Sequence, residues 1–343
     1  METVTIKDIA RKCKVGVSTV SRAINNHPDI NPETKKKIMD TIAECNYIPN
    51  NSARNLKRNE SKTIAVMIKG IANPFFHGIV KVLESSIEKK KYGFHLQHVE
   101  EEGDEVKAAL ELEKEKKLCG IIFLGGALGH SEETIRQLRT PFVMCTTSLN
   151  EEIPKELYSS VKINDVQEAY RMVSYLCSLG HKKIAMVAAR EDDQAVGKMR
   201  LQGYRNALAD YGIPFNRDLI LYPVKGEDPY SMKNGYDTVR KFIECGGQAT
   251  AFFVISDNAA FGACKALWDM GKKIPDDYSV AGFDGIDMAK YYCPSLTTIK
   301  QPFEEMGKEA IDILFDLIEE SGENRHKIFE AELVEGQSVR ALV

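Results

Sequence analysis

The 343-residue sequence lacks any long hydrophobic run and any closely spaced pair of cysteines. No stretch approaches the ~20 uninterrupted apolar residues that span a bilayer, and the opening METVTIKDIARKC has no apolar export segment. The eight cysteines form no C-x-x-C pair, a pattern typical of reduced, packed thiols. These absences predict a cytoplasmic protein without a membrane partner.

Signatures of common enzymes are also absent. The sequence contains no G-x-G-x-x-G, G-x-x-x-x-G-K-[ST] or G-x-S-x-G motif, and the glycines of IIFLGGALG have the ordinary position of a turn after a strand. His95 and His98 lie in the apolar run GFHLQHV, which favours strand residues over metal ligands. We therefore predict no catalytic residues, cofactor or metal, although parallel α/β lobes leave a dinucleotide-dependent enzyme as an alternative.

The charge that is present is distributed unevenly. Residues 1–60 contain 11 Lys and Arg against 7 Asp and Glu, whereas the whole chain contains 46 against 50. A basic end on an acidic body is typical of a nucleic-acid-binding module joined to a domain that does not contact nucleic acid.

Three short helices are predicted in this basic end. Thr5 and Asp8 have capping-box spacing before a first helix that runs to about Cys13, and VSTVSRAINN forms a second helix with Val20, Ala23 and Ile24 on one face. Asn31-Pro32 starts a third helix over about 32–45. A three-residue turn between the first two helices indicates a helix-turn-helix, although a generic three-helix bundle has the same pattern.

The segments TIKDIARKCKVGVSTVSRAINN and NPETKKKIMDTIAECNYIPNNSARNLK closely resemble the lactose-repressor (LacI) family of bacterial transcription regulators. The resemblance implies base contacts from Val17, Ser18 and Arg22 and phosphate contacts from Thr19 and Ser21. It extends the DNA-binding set to Thr5, Asn25, Tyr47, Asn50, Ala53 and Leu56. Two positions depart from the family: Lys14 lies where the turn often has Gly, and Gly16 lies where a capping Ser or Thr is frequent.

A short hinge is predicted at residues 50–60, after a DNA-binding domain at 1–49. The run NNSARNLK is shorter than the ~12–15 residues that make an isolated helix even marginal in water. The resemblance implies that it folds on DNA against its dimer mate, with small Ala53 allowing close approach and Leu56 entering the minor groove at a central CG step. The alternative is that Leu56 packs on the larger domain.

From Lys62 onward, strand-like apolar runs alternate with amphipathic helical ones. The first round contains TIAVMI, GFHLQHV, GIIFLG and PFVMCT, and a second round starts after SSVKI, where Asp165 and Glu168 have capping-box spacing. Repeated β-α units predict two lobes with parallel sheets, and ligands of such folds bind between lobes at the strands' carboxyl ends.

This region also resembles the family, through NPFF, GKMRLQGY, SDNAAFGACKAL, PDDYSVAGFD and PSLTTIKQPFEEMG. The resemblance implies a helix-turn-helix domain joined by a hinge helix to a two-lobed, periplasmic-binding-protein-like (type I) α/β sensor at 61–343. Lobe one is expected at about 61–162 plus 291–322, and lobe two at about 163–290 plus 323–343.

The resemblance also places an effector site between the lobes. It implies aromatic contacts from Phe75 and Tyr230 and charged contacts from Arg200, Asp257 and Asp284. Phe75 could instead be a core residue, and Asp257 could cap the helix that follows it. The expected effector is a sugar or sugar phosphate, with a purine, nucleoside or partner protein as alternatives.

The resulting prediction is a cytoplasmic, nucleoid-associated repressor of carbohydrate-utilisation genes. It would bind a pseudo-palindromic operator as a homodimer, with dimer contacts from helices around 75–91 and 104–117. The sequence leaves open whether the effector is an inducer or a corepressor. A transport-associated sugar-binding protein would need an export signal and would not need the basic helical end.

Overall fold

The computed structural model describes residues 4–24, 27, 29–45, 47, 62–100, 103–126, 129–224 and 226–342. The chain divides into two compact units, Met1–Glu60 and Ser61–Val343. The predicted hinge at 50–60, with Asn50, Ala53 and Leu56, lies outside the described residues, as does Asn25.

The first unit contains three helices, α1 (Ile6–Cys13), α2 (Val17–Ile24) and α3 (Pro32–Glu44). At the start of α1, the Asp8 carboxylate accepts hydrogen bonds from the Thr5 N–H (3.0 Å) and the Thr5 hydroxyl (2.6 Å). At the start of α3, Asn31 accepts from two backbone N–H groups. The three helices pack on one another through a buried core of Ile9, Ala10, Cys13, Val20, Ala23 and Ile38.

The second unit is built on two six-stranded sheets, which define lobe one and lobe two. The lobe-one sheet has the order β11-β5-β4-β3-β1-β2 and is parallel throughout. Its strands are β1 (Thr63–Lys69), β2 (Gly93–Val99), β3 (Leu118–Leu124), β4 (Phe142–Cys145), β5 (Ser159–Ile163) and β11 (His326–Phe329). Its helices are α4 (Phe75–Lys89), α5 (Glu105–Glu115), α6 (Glu132–Ile135) and α12 (Phe303–Ile318).

The lobe-two sheet has the order β12-β10-β9-β8-β6-β7 and is parallel except for the β10–β12 pair. Its strands are β6 (Ile184–Val187), β7 (Ile220–Leu221), β8 (Ala251–Val254), β9 (Ser279–Asp284), β10 (Thr297–Lys300) and β12 (Glu332–Val334). Its helices are α7 (Asp165–Ser178), α8 (Val196–Asp210), α9 (Met232–Glu244), α10 (Asp257–Asp269) and α11 (Asp287–Tyr291).

Successive residues along the strands are apolar and buried, so both faces of each sheet are packed against other parts of the chain. In β1, Ile64, Val66 and Ile68 belong to one core cluster, and the intervening Ala65 and Met67 belong to another. This alternation is what a strand buried on both sides requires. None of the helices in the described part of the chain has the length and apolarity needed to cross a membrane.

Two strands lie in the opposite lobe from the one expected. The resemblance places residues 291–322 in lobe one, but β10 pairs with β9 in lobe two. It places residues 323–343 in lobe two, but β11 pairs with β5 in lobe one. Strand partners depend on long-range pairing, so local sequence patterns could not assign them. The chain therefore passes between the lobes at residues 164, 301–302 and 330–331.

The helix predicted after SSVKI is confirmed, but its capping box is wrong. Asn164 caps α7 by accepting from the Gln167 N–H, and Asp165 is the first residue of the helix. The buried Asp165 carboxylate instead accepts from Arg200, and Glu168 accepts from the N–H of Ala331. Both acidic side chains therefore bond to residues distant in the sequence instead of capping the helix.

Candidate functional site

The first candidate site is the exposed face of α2. Val20 and Ala23 fix the opposite face in the core, so Val17 (41% exposed), Ser18 and Arg22 face solvent. Four further predicted contacts are described: Thr5 is exposed, and Thr19, Ser21 and Tyr47 are half-buried. A short helix with a small polar face and one Arg has the dimensions and donors that major-groove readout needs.

The α1–α2 turn accommodates both departures from the family pattern. Lys14 adopts left-handed backbone angles, φ 56° and ψ 43°, although it is not glycine. The carbonyl of Gly16 accepts from the N–H groups of Thr19 and Val20, so α2 begins normally without a side-chain cap. The turn geometry of a helix-turn-helix is therefore kept by this sequence.

The second candidate site is a cavity of about 440 Å³ between the two lobes. Its lining includes residues at the carboxyl ends of parallel strands in both sheets, where ligands of such folds bind, together with residues of α4 and α8. Lobe one contributes Lys69, Asn73, Phe75, Phe76, Gly125, Gly126, Thr146 and Thr147. Lobe two contributes residues of the 190–196 segment, together with Arg200, Pro229, Tyr230 and Asp284, and Gln301 lies at a passage between the lobes.

Arg200 holds the charged centre of this cavity together. Its Nε donates to Asp165 Oδ1 at 2.9 Å, and its Nη1 donates to the Ile255 carbonyl at 2.6 Å and lies 3.8 Å from Asp284 Oδ1. Its guanidinium stacks on the Phe283 ring at 3.7 Å. A buried Arg with this many partners has a fixed orientation, which is a requirement for recognising a small ligand.

Asp284 joins the two lobes at the cavity. Asn73 Nδ2 of lobe one donates to Asp284 Oδ2 at 3.0 Å, and Gln301 Nε2 donates to Asp284 Oδ1 at 2.9 Å. Burial raises the pKa of Asp284, while the nearby Arg200 lowers it. Asp284 (φ 125°) and Thr146 (φ 71°), both cavity-lining, have positive φ. Such backbone strain in non-glycine residues concentrates at functional sites.

Asp257, the fifth residue expected at the effector site, is not brought to this cavity. Asp257 is fully buried and does not line the cavity. Its Oδ2 accepts from the N–H groups of Gly285 and Ile286, and its Oδ1 accepts from the Thr298 hydroxyl. Ser256, not Asp257, caps α10. Asp257 therefore holds the loop after β9, which carries Asp284.

The cavity does contain the other four predicted effector residues. Phe75, Arg200, Tyr230 and Asp284 all line it, and Phe75 is also a core residue, since it is only 5% exposed. Sequence reasoning missed Lys69, Asn73, Thr146, Arg190 and Gln301. Each of the five lies at or just beyond the carboxyl end of a parallel strand or its following loop, so a survey of every strand end would have found them.

Among the described residues, Asp104, Glu105 and His130 could together offer three metal-ligand atoms. The Lys69 ammonium lies 3.5 Å from the buried Glu105 carboxylate, and Asp104 caps α5 by accepting from two backbone N–H groups. His130 Nε2 lies 2.9 Å from Glu105 Oε1. Lys69 therefore already supplies a positive charge to the Glu105 carboxylate in this cluster.

A three-helix DNA-reading unit and a two-lobed ligand-binding unit define a ligand-controlled transcription regulator. Residues 5–50 match the model of bacterial regulatory proteins of the lacI family, and residues 173–339 match a periplasmic binding protein-like domain. The HTH-type transcriptional regulator MalR of Clostridium butyricum is 41% identical over 335 residues, which cover 97% of this chain and 98% of that relative. The chain belongs to the lacI family.

Two solved structures of transcription regulators match nearly the full length of the chain. A lac repressor dimer bound to operator and the anti-inducer ONPF has a TM-score of 0.75 and 25% identity, covering 99% of this chain and 100% of that one. A complex of the transcriptional regulator CelR with cellobiose has a TM-score of 0.71 and 26% identity, covering 98% and 99%. The chain is a DNA-binding transcription regulator, and the alternative of a dinucleotide-dependent enzyme is wrong.

Proposed function

We propose that this regulator represses carbohydrate-utilisation genes as a cytoplasmic, nucleoid-bound homodimer, and that a neutral sugar in the inter-lobe cavity controls it. The observation that carries the proposal is the pair Arg200 and Asp284. Both are buried, both line the cavity, and they lie within 3.8 Å of each other. They offer fixed donors and acceptors to one small ligand.

The chemistry of the cavity favours a polyhydroxylated ligand. Three basic residues, Lys69, Arg190 and Arg200, are balanced by Asp192, Asp193 and Asp284. A sugar hydroxyl donates and accepts at once, so it can bond to both kinds of group, and charge-assisted bonds fix its orientation. The rings of Phe75, Phe76 and Tyr230 add apolar surface for the C–H faces of a pyranose.

The Asn73–Asp284 contact supports allosteric control. It joins the lobes directly, so a ligand that bonds to Asp284 competes with or bridges this contact and favours one lobe arrangement. A ligand shifts such an equilibrium only by its differential affinity for the two states. Full switching needs a preference of ~10⁴-fold.

On the DNA side, the solvent-facing side chains of α2 support base readout. Arg22 would bond to guanine and Val17 would contact a thymine methyl, with Ser18 beside them. Thr5, Thr19, Ser21, Asn25 and Tyr47 would hold phosphates and neighbouring groups. Asn50, Ala53 and Leu56 would act in the paired hinge at the operator centre.

The decisive experiment uses the full-length protein. A thermal-shift screen of maltose, cellobiose, ribose, glucose and adenosine is followed by calorimetric titration of each hit and by mobility shift on the DNA upstream of the protein's own gene. A sugar at 100 times its Kd should stabilise the protein by ~2.7 kcal/mol and change its DNA affinity. Stabilisation by adenosine alone would contradict a sugar effector.

Two variants separate the sites. Asp284→Asn should weaken sugar binding by about tenfold or more, because a charge-assisted acceptor is lost, and the exposed Asp269→Asn serves as its control. Arg22→Ala should cost ~1–3 kcal/mol on the specific operator and little on random DNA. Equal losses on both DNAs would count against base readout by Arg22.

A further inference from the structure

Lobe two contains a second cavity, of about 430 Å³, which is separate from the effector site. Arg190, Asp193 and Gln194 line both cavities, so the segment from Arg190 to Gln194 forms a wall between them. The far side of the second cavity is formed by α8 and by the chain around Phe215 and Tyr222.

The second cavity carries an excess of positive charge. Arg190, Lys198, Arg205 and Arg217 line it, against two carboxylates. One of these, Asp193, accepts from the Lys198 backbone N–H at 3.0 Å, and burial raises its pKa. The effector cavity, by contrast, has equal numbers of acidic and basic residues. The two cavities are therefore suited to ligands of different charge.

An exposed aromatic ring accompanies these cations. Phe215 is 43% exposed, and the Arg205 guanidinium lies 4.6 Å from its ring centroid. This contact orients Arg205 along one wall, and the half-buried Tyr222 lines the same cavity. A large exposed aromatic in a concave basic surface offers apolar contact to the organic part of a ligand whose anionic part pairs with the arginines.

We propose that this cavity binds a phosphate monoester of a small metabolite. Arg205, Arg217 and Lys198 bind the phosphate, and Phe215 packs against the ester's organic group. Guanidinium groups suit this task because their planar donors match phosphate oxygens. Arg217 must exchange its ion-pair partner Glu191 for the phosphate, which is feasible because both side chains are more than 60% exposed.

The test is calorimetric titration of the full-length protein at low salt with glucose 6-phosphate, AMP, inorganic phosphate, glucose and adenosine. We expect at least one monoester to bind more tightly than both its dephosphorylated form and inorganic phosphate. Binding of glucose 6-phosphate alone identifies a sugar phosphate as the ligand, and binding of AMP alone identifies a nucleotide. Binding of inorganic phosphate only, or of no monoester, would overturn the proposal.

A double variant, R205A/R217A, locates the site. It should weaken monoester binding by about tenfold or more, since two charge-assisted contacts are removed. Arg240→Ala removes an exposed, ion-paired Arg outside the cavity and should leave binding unchanged. If monoester binding is lost in Asp284→Asn but kept in R205A/R217A, the ligand occupies the effector cavity and the proposal fails. Neutral-sugar binding should survive in R205A/R217A, so the two sites are tested independently.

Discussion

Replacing Arg200 by methionine should destabilise the sensor unit strongly, and more at high pH than at low pH. The change keeps an unbranched apolar side chain beside Phe283. It removes the guanidinium, which among the described residues is the only charged group that donates a hydrogen bond to the buried Asp165 carboxylate. Breaking a buried ion pair from one side typically costs ~3–5 kcal/mol, because it leaves an unpaired buried charge. We expect a loss of that size at pH 7.5.

The pH dependence follows from the two carboxylates left behind. Burial already raises the pKa of Asp165 and Asp284, and Arg200 opposes that rise in both. Without Arg200 their folded-state pKa values rise further above the unfolded values, so the folded variant binds protons that the unfolded chain releases. Stability of the variant therefore falls as pH rises, by up to ~1.4 kcal/mol per pH unit for one carboxylate.

Urea unfolding followed by circular dichroism at pH 5.5 and 7.5 measures both effects. The loss relative to wild type should be smaller at pH 5.5, and R200M/D165N should recover part of it, since one buried charge is then removed. Arg240→Met, an exposed ion-paired control, should behave like wild type at both pH values. A loss below ~1 kcal/mol at pH 7.5, or an equal loss at both pH values, would refute this account of the network.

Three further changes test the fold. Burial lowers the pKa of His181, so the unfolded chain takes up a proton below about pH 6.5 that the folded chain does not, and the free energy of unfolding falls as pH drops. In urea titrations, His181→Gln should remove this pH dependence. Gly203→Ala would push a methyl into the backbone of α7 and should cost ~1–3 kcal/mol by calorimetry, whereas Gly129→Ala, in open space, should not. Asn31→Ala should cost the helical unit ~1 kcal/mol in thermal melts, and Asn31→Asp should restore it.

The parts of the fold that sequence predicts well depend on neighbouring residues. The Thr5–Asp8 contact and the Asn31 cap form within three residues, so their spacing alone indicates them. Capping-box spacing gave a wrong prediction at Asp165, because its carboxylate accepts a hydrogen bond from Arg200, 35 positions away. Local patterns identify a helix start, but they do not reveal which tertiary partner a side chain will take.

In the candidate site, too, sequence patterns identify positions but not the tertiary contacts of the side chains. Asp284 ends strand β9 and Arg200 lies in α8; both could be matched to a family pattern, and both line the cavity. Asp257 has an equally suggestive position, yet its carboxylate holds the loop after β9. Asn73 was missed because its importance comes from a contact across the lobes, which only the folded chain brings together.

The three passages of the chain between the lobes have a mechanical consequence. Two lobes joined by one connection could twist and slide relative to each other. Three short connections, at 164, 301–302 and 330–331, restrict the lobes mainly to rotation about a hinge. Gln301 is itself in one connection and bonds to Asp284. A molecule that binds Asp284 therefore acts directly beside one of these connections, where a small displacement would produce a larger movement at the far edges of the lobes.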